Sequence, residues 1–195
     1  NIEDVNISYT LYSLQIAIGV YFITGLVLRF VFPSFSVERK TAWIILSSPI
    51  NLFNVMKAKL LTFGALLTII SAIIGYINVA TYNIKISEMI LFLLILLTAT
   101  LSVTVFGLSI GIIFPNFDTD NPEELSTTLP GIFFTLVSII YGAIGSFIYY
   151  MHLKSGFSEG IVLYELVSIL TIVVLIQVAP KFLNNLEFSG RKMVA

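Results

Sequence analysis

A chain of 195 residues in which 57% are hydrophobic and only 11% are charged cannot coat a water-facing surface, where about 25% charged is usual. The formal net charge of -1 sums segments of opposite sign and leaves no basic excess for a nucleic-acid partner. With no cysteine and a single histidine, His152, the chain excludes disulfides, thiol redox chemistry, cysteine-ligated metals and any motif that needs two histidines.

The remaining solvent is lipid, where the backbone must satisfy its own hydrogen bonds and only helices or closed barrels can span. A barrel would show segments of about ten residues alternating apolar and polar. Here the apolar runs are long and unbroken, so the expected fold is all-α, a bundle of about five transmembrane helices. A span needs about 20 mostly apolar residues. Five segments qualify: Tyr9 to Val31, Ala58 to Ala80, Met89 to Phe114, Leu129 to Tyr150 and Ile161 to Ala179. The first run is too long for the core of a typical signal peptide, and no small-residue cleavage pattern follows it.

After the first span the chain reads Phe32-Pro33-Ser34-Phe35-Ser36-Val37-Glu38-Arg39-Lys40-Thr41-Ala42-Trp43-Ile44-Ile45-Leu46-Ser47-Ser48-Pro49. Pro33 should end the first helix. Ser34 or Ser36 can cap a new one, with Glu38 in its first turn favoured by the helix dipole. Residues from about Phe35 to Ser47 then make a helix too short to span. Charge mixed with Trp43, Ile44, Ile45 and Leu46 suits the membrane interface. Ser48 caps the next helix, with Pro49 at its first position. Two roles fit such a helix: an interfacial anchor for the bundle, or a docking helix for a cytoplasmic partner.

Within the third span, Thr98, Thr100, Ser102 and Thr104 form a polar run, and Gly107 and Gly111 have the spacing that lets two helices approach closely. The acidic loop that follows holds Asp118, Asp120, Glu123 and Glu124. It could hold a metal, but capping explains it better: Asn121 as cap, Pro122 at the first helical position and Glu124 completing a pair. Ser138, Gly142 and Ser146 repeat the small-residue spacing in the fourth span, for packing or along a substrate path. Gln15, Asn78, Gln177 and Glu165 are further polar residues in or near spans, and only Glu165 of these is ionisable. Glu165, about one turn inside the boundary, is expected to snorkel to water, and His152 is expected in a solvated loop.

Eight of the ten basic residues fall either between Arg29 and Lys59 or in the tail from Lys181. The positive-inside rule therefore puts the N-terminus outside and the C-terminus in the cytoplasm. Tyr9, Tyr12, Tyr76, Tyr82, Tyr149, Tyr150 and Tyr164 then gather near the outer boundary, where an apolar ring with a polar tip prefers to sit.

Glu38-Arg39, Trp43, Leu46, Ser48-Pro49 and Lys59 resemble the pattern of type-2 ABC exporter permeases, in which this stretch forms the cytoplasmic coupling helix. The stretch Phe114-Pro115-Asn116-Phe117-Asp118 with Asn121-Pro122 is similar to a loop in one exporter subfamily of that kind. The resemblance implies a membrane-spanning permease subunit in the cell membrane, and the C-terminal half of a larger membrane domain. It implies as partners a separate ATP-binding cassette ATPase and a second membrane domain. Glu38 and Arg39 would make polar contact with that ATPase, with Trp43 and Leu46 in the docking helix and Pro49 setting the angle into the second span. The chain has no Gly-x-x-x-x-Gly-Lys phosphate loop, so it should neither bind ATP nor act as an enzyme, and no cofactor is expected. The alternative is a membrane scaffold or assembly protein without transport. An intramembrane enzyme would need ionisable residues clustered at one depth, and the sequence has none.

Overall fold

The computed structural model describes residues 2–37, 52–82, 86–115 and 121–190. Among them there are helices and no strands. Helix α1 (Ile2–Leu26) runs into a π-helical turn (Val27–Val31) and a 3-10 turn (Phe32–Ser34). Then come α2 (Leu52–Tyr82), α3 (Ile86–Ile113), the short α4 (Pro122–Ser126), α5 (Leu129–Ser155) and α6 (Ser158–Gly190). Five stretches are long and apolar enough to cross a membrane: Ile7–Ser34, Phe53–Val79, Ile86–Ile113, Leu129–Ser155 and Ser158–Phe182.

Helix α3 is the centre of the bundle and touches α1, α2, α5, α6 and the π and 3-10 turns. Its residues Gly107 to Ile112 are buried without interruption, so it is enclosed on every face at that level. That agrees with its sequence, which is apolar all round rather than along one stripe. Around it, α1 lies along α5, and α6 and α2 lie along other faces of α3. The outward faces are apolar: Leu14, Ile18 and Phe22 on α1, Leu66, Ile69 and Ile73 on α2, Leu136 and Ile140 on α5, Leu166 and Leu170 on α6, all exposed. Such continuous apolar surface is what a membrane-spanning bundle presents to hydrocarbon.

The helices overrun the apolar segments, because polar end turns keep the backbone ladder going after hydropathy has fallen. Helix α6 passes through Pro180 instead of stopping at Ala179. The turn between α5 and α6 is very short. Gly156 closes α5 at φ 72°, its N–H donating to the carbonyl of His152, a left-handed position that glycine adopts without strain.

The end of the first span has a local cause. The N–H of Phe32 donates to the carbonyl of Val27, five residues back. The same step for the carbonyl of Leu28 would use Pro33, which has no N–H. The hydroxyl of Ser126 on α4 lies 3.2 Å from that carbonyl and 2.7 Å from the carbonyl of Pro122. A serine far along the chain thus offers the hydrogen that the proline withholds.

Candidate functional site

Two regions carry polar groups in an otherwise apolar molecule. The first is the end of the bundle where the segment between α1 and α2 leaves and returns. Glu38, Arg39, Trp43, Leu46 and Pro49 lie outside the described residues, as does the expected coupling helix beyond Val37; its first residues, Phe35 to Val37, form a turn. Their flanks are described. Ser34 ends the 3-10 turn, leaving its carbonyl without a donor from the turn itself. Lys59 on α2 fills that role, Nζ to Ser34 O at 3.0 Å. The same ammonium sits over the ring of Phe35, 4.7 Å from its centroid, a cation–π arrangement. The two chain ends that bracket the segment are therefore tied together.

Helix α4 joins this end. Asn121 caps it, its side chain accepting from the N–H of Glu123 at 3.0 Å, with Pro122 at the first position, as the capping pattern requires. Arg29 lies 3.7 Å from Glu123, but both side chains are exposed, so the pair adds little. Asp118 and Asp120 lie outside the described residues. No group of three or more His, Asp or Glu able to hold a metal occurs among the described residues. Phe32 stacks with Phe134, and Phe106 meets both Phe133 and Phe134, which locks the turn to α3 and α5.

Close helix approach starts at this end and continues along α1. A Cβ on Gly111 would lie 2.1 Å from the backbone oxygen of Phe32, and one on Gly107 would lie 2.3 Å from a methyl of Val27. On α5, a Cβ on Gly142 would lie 2.7 Å from Val20. Ser146 donates to the carbonyl of Ser13 at 2.6 Å. Gly107, Gly111, Gly142 and Ser146 all face α1 or its turns.

The second region lies deeper. Most hydroxyls of the spans bond to their own backbone: Thr24 to Val20, Thr104 to Thr100, Ser109 to Val105, Thr171 to Val167. That is the usual way to satisfy a hydroxyl without water. Others cross between helices. Thr100 meets Ser71 of α2 at 2.8 Å, and Tyr141 pairs with Ser168 of α6. Ser102 and Ser138 do neither: both are buried, 5% and 1% exposed, and neither Oγ has a partner. Leaving such a donor unmade costs roughly 1–3 kcal/mol. Both line one cavity of about 210 Å³, together with Val103, Tyr141, Val167 and Thr171. Its walls are otherwise almost wholly apolar.

Glu165 has a partner on a neighbouring helix, the Thr98 hydroxyl 2.9 Å from its Oε1 across the α3–α6 contact. One sequence expectation needs correction. His152 is not in a loop. It occupies the last turn of α5 with a largely buried side chain, its Nε2 3.5 Å from Glu88 of α3, while Tyr149 donates to the carbonyl of Glu88 at 3.2 Å. In both cases the partner lies on another helix, 67 residues away for Thr98–Glu165, beyond any local pattern. Lys59 belongs to the motif, but no sequence signal tells that it reaches Ser34.

A protein-family model described as "Putative ATP-binding cassette" matches residues 4–182. No curated protein matches the chain, and no solved structure does.

Proposed function

This chain belongs to the ATP-binding cassette family whose model covers residues 4–182, and from that membership we propose that it is the membrane-spanning permease subunit of an ABC-type exporter. The observation that carries the reading is what those matched residues are. They form five membrane-length helices and carry no phosphate loop. A cassette system divides its labour between ATP hydrolysis and a path through the membrane, and these residues suit only the second task.

On this reading ATP is hydrolysed by a separate subunit docked at the segment from Phe35 to Ser47, with Glu38 and Arg39 for polar contact and Trp43 and Leu46 as apolar anchors. Motion enters through the two ends of that segment. Lys59 favours this, because its bond to Ser34 makes α1 and α2 respond together. The N-terminus of the chain would lie outside and the C-terminus in the cytoplasm, with a second membrane domain completing the path. The test is affinity purification of the tagged full-length protein in mild detergent, with co-purifying proteins identified by mass spectrometry. A stoichiometric ATPase bearing a phosphate loop is the expected result. Its consistent absence from intact preparations would favour the scaffold alternative.

A further inference from the structure

We propose that the cavity between α3, α5 and α6 binds an uncharged amphiphile, a hydrocarbon frame bearing one hydrogen-bond-accepting oxygen, and that Ser102 and Ser138 are the donors to that oxygen. The role of this site as a substrate stop on an export path rests on the permease reading above.

Three observations define the ligand. The cavity, about 210 Å³, has walls that are almost entirely apolar. Dry apolar cavities of about 150 Å³ already accept a small aromatic molecule, so this one takes a larger hydrocarbon group. The two polar atoms without a partner on its wall are hydroxyls, and both belong to residues at least nine-tenths buried. A serine hydroxyl in hydrocarbon that does not bond to its own helix has a hydrogen to give. The complementary group is a neutral acceptor such as a ketone or ester carbonyl. A charged group is excluded because the wall provides no counter-ion and burial of a bare charge is prohibitive.

The route of entry follows from exposure. Val167 and Thr171 on α6 are exposed while Ser102, Val103 and Ser138 are buried. The mouth therefore opens towards the lipid-facing side at α6, and the hydroxyls sit at the back. Ser102, Ser138, Val167 and Thr171 all fall in the middle third of their spans. An ordinary phospholipid keeps its ester oxygens at the interface, so the ligand is a molecule whose oxygen can reach mid-membrane depth.

The probe is benzophenone, which is apolar, carries one carbonyl and inserts into nearby C–H bonds on irradiation. Purified full-length protein in detergent would be irradiated over a range of benzophenone concentrations and the adducts mapped by peptide mass spectrometry. Saturable labelling at Val103, Val137 and Val167 is expected, against non-saturable labelling of lipid-facing residues such as Leu66 and Ile69. The double variant Ser102→Ala, Ser138→Ala should weaken the saturable component about fivefold, in proportion to a lost hydrogen bond. Diphenylmethane, which lacks the carbonyl, should compete equally well against both proteins. Val167→Trp, which fills the mouth, should remove the saturable component while the protein stays monodisperse. Non-saturable labelling throughout, or unchanged affinity in the double serine variant, overturns the assignment. The measurement needs no ATPase, so its failure leaves the co-purification test of the permease reading standing. Saturable labelling without any co-purifying ATPase would keep the site and remove its transport role.

Discussion

Lys59 Nζ lies 3.0 Å from the carbonyl oxygen of Ser34, 25 residues earlier in the chain, so one hydrogen bond closes the loop that holds the proposed docking segment. Replacing Lys59 with Met keeps the apolar stem and removes the donor. The Lys59→Met variant should insert normally but expose the loop to protease several-fold faster. Lys59→Arg, which can still donate, should behave close to wild type. Limited proteolysis of detergent-solubilised protein checks this, and equal cleavage of all three proteins would show that the bond does not hold the loop.

Trp43, Glu38 and Arg39 form the proposed contact with the ATPase. Trp43→Ala, and separately Glu38→Ala with Arg39→Ala, should reduce the co-purifying ATPase about tenfold while membrane insertion stays intact. Buried aromatic and arginine anchors commonly account for 2 kcal/mol or more of an interface. Quantitative mass spectrometry of the purified complex reads the ratio directly. An unchanged ratio in both variants would move the docking site elsewhere.

Gly111 and Gly64 make a pair with opposite expectations. A Cβ at Gly111 would meet the backbone oxygen of Phe32 at 2.1 Å, and backbone cannot rotate aside, whereas at Gly64 the nearest atoms are side-chain carbons at 3.8 and 3.9 Å. Gly111→Ala should therefore lower stability by about 2 kcal/mol or more through forced separation of the helices. Gly64→Ala should be neutral or stabilising, since alanine is favoured over glycine in helices by roughly 1 kcal/mol. Thermal unfolding in detergent separates them. Equal midpoints would mean that α3 and the 3-10 turn are not in close contact.

Ser126 and Pro33 should be coupled although they do not touch through their side chains. Ser126→Ala removes the hydroxyl near the Leu28 carbonyl, a loss of about 1 kcal/mol. Pro33→Ala supplies a backbone N–H five residues after Leu28, so the serine change should matter less in that background. A double-mutant cycle on unfolding in detergent measures the difference, and strict additivity would rule out the shared carbonyl.

The spans were legible because mean hydropathy is set by composition alone: Met89 to Phe114 and Leu129 to Tyr150 lie almost entirely inside α3 and α5. So was the cap at Asn121-Pro122, whose signal is local. The ends were less so. Hydropathy registers apolar side chains, while a helix persists as long as its backbone ladder does, which is why His152 sits in a helix and Pro180 inside one. Pairs such as Ser71–Thr100 and Thr98–Glu165 depend on which faces of α2, α3 and α6 meet. With apolar residues on all sides of these helices, no stripe in the sequence marks that choice. The unpartnered state of Ser102 and Ser138 is invisible for the same reason, since other hydroxyls of the same helices, Thr100 and Thr104 on α3 and Thr135 on α5, are bonded to their own backbone.

The enclosed position of α3 sets where this protein can tolerate change. A substitution on α6 that points outward is met by lipid, which accommodates any apolar shape. A substitution between Gly107 and Ile112 is met by protein whichever way it points. A library of apolar replacements selected for membrane assembly should therefore be depleted around the whole circumference of α3 at that level, but only along one stripe of α6.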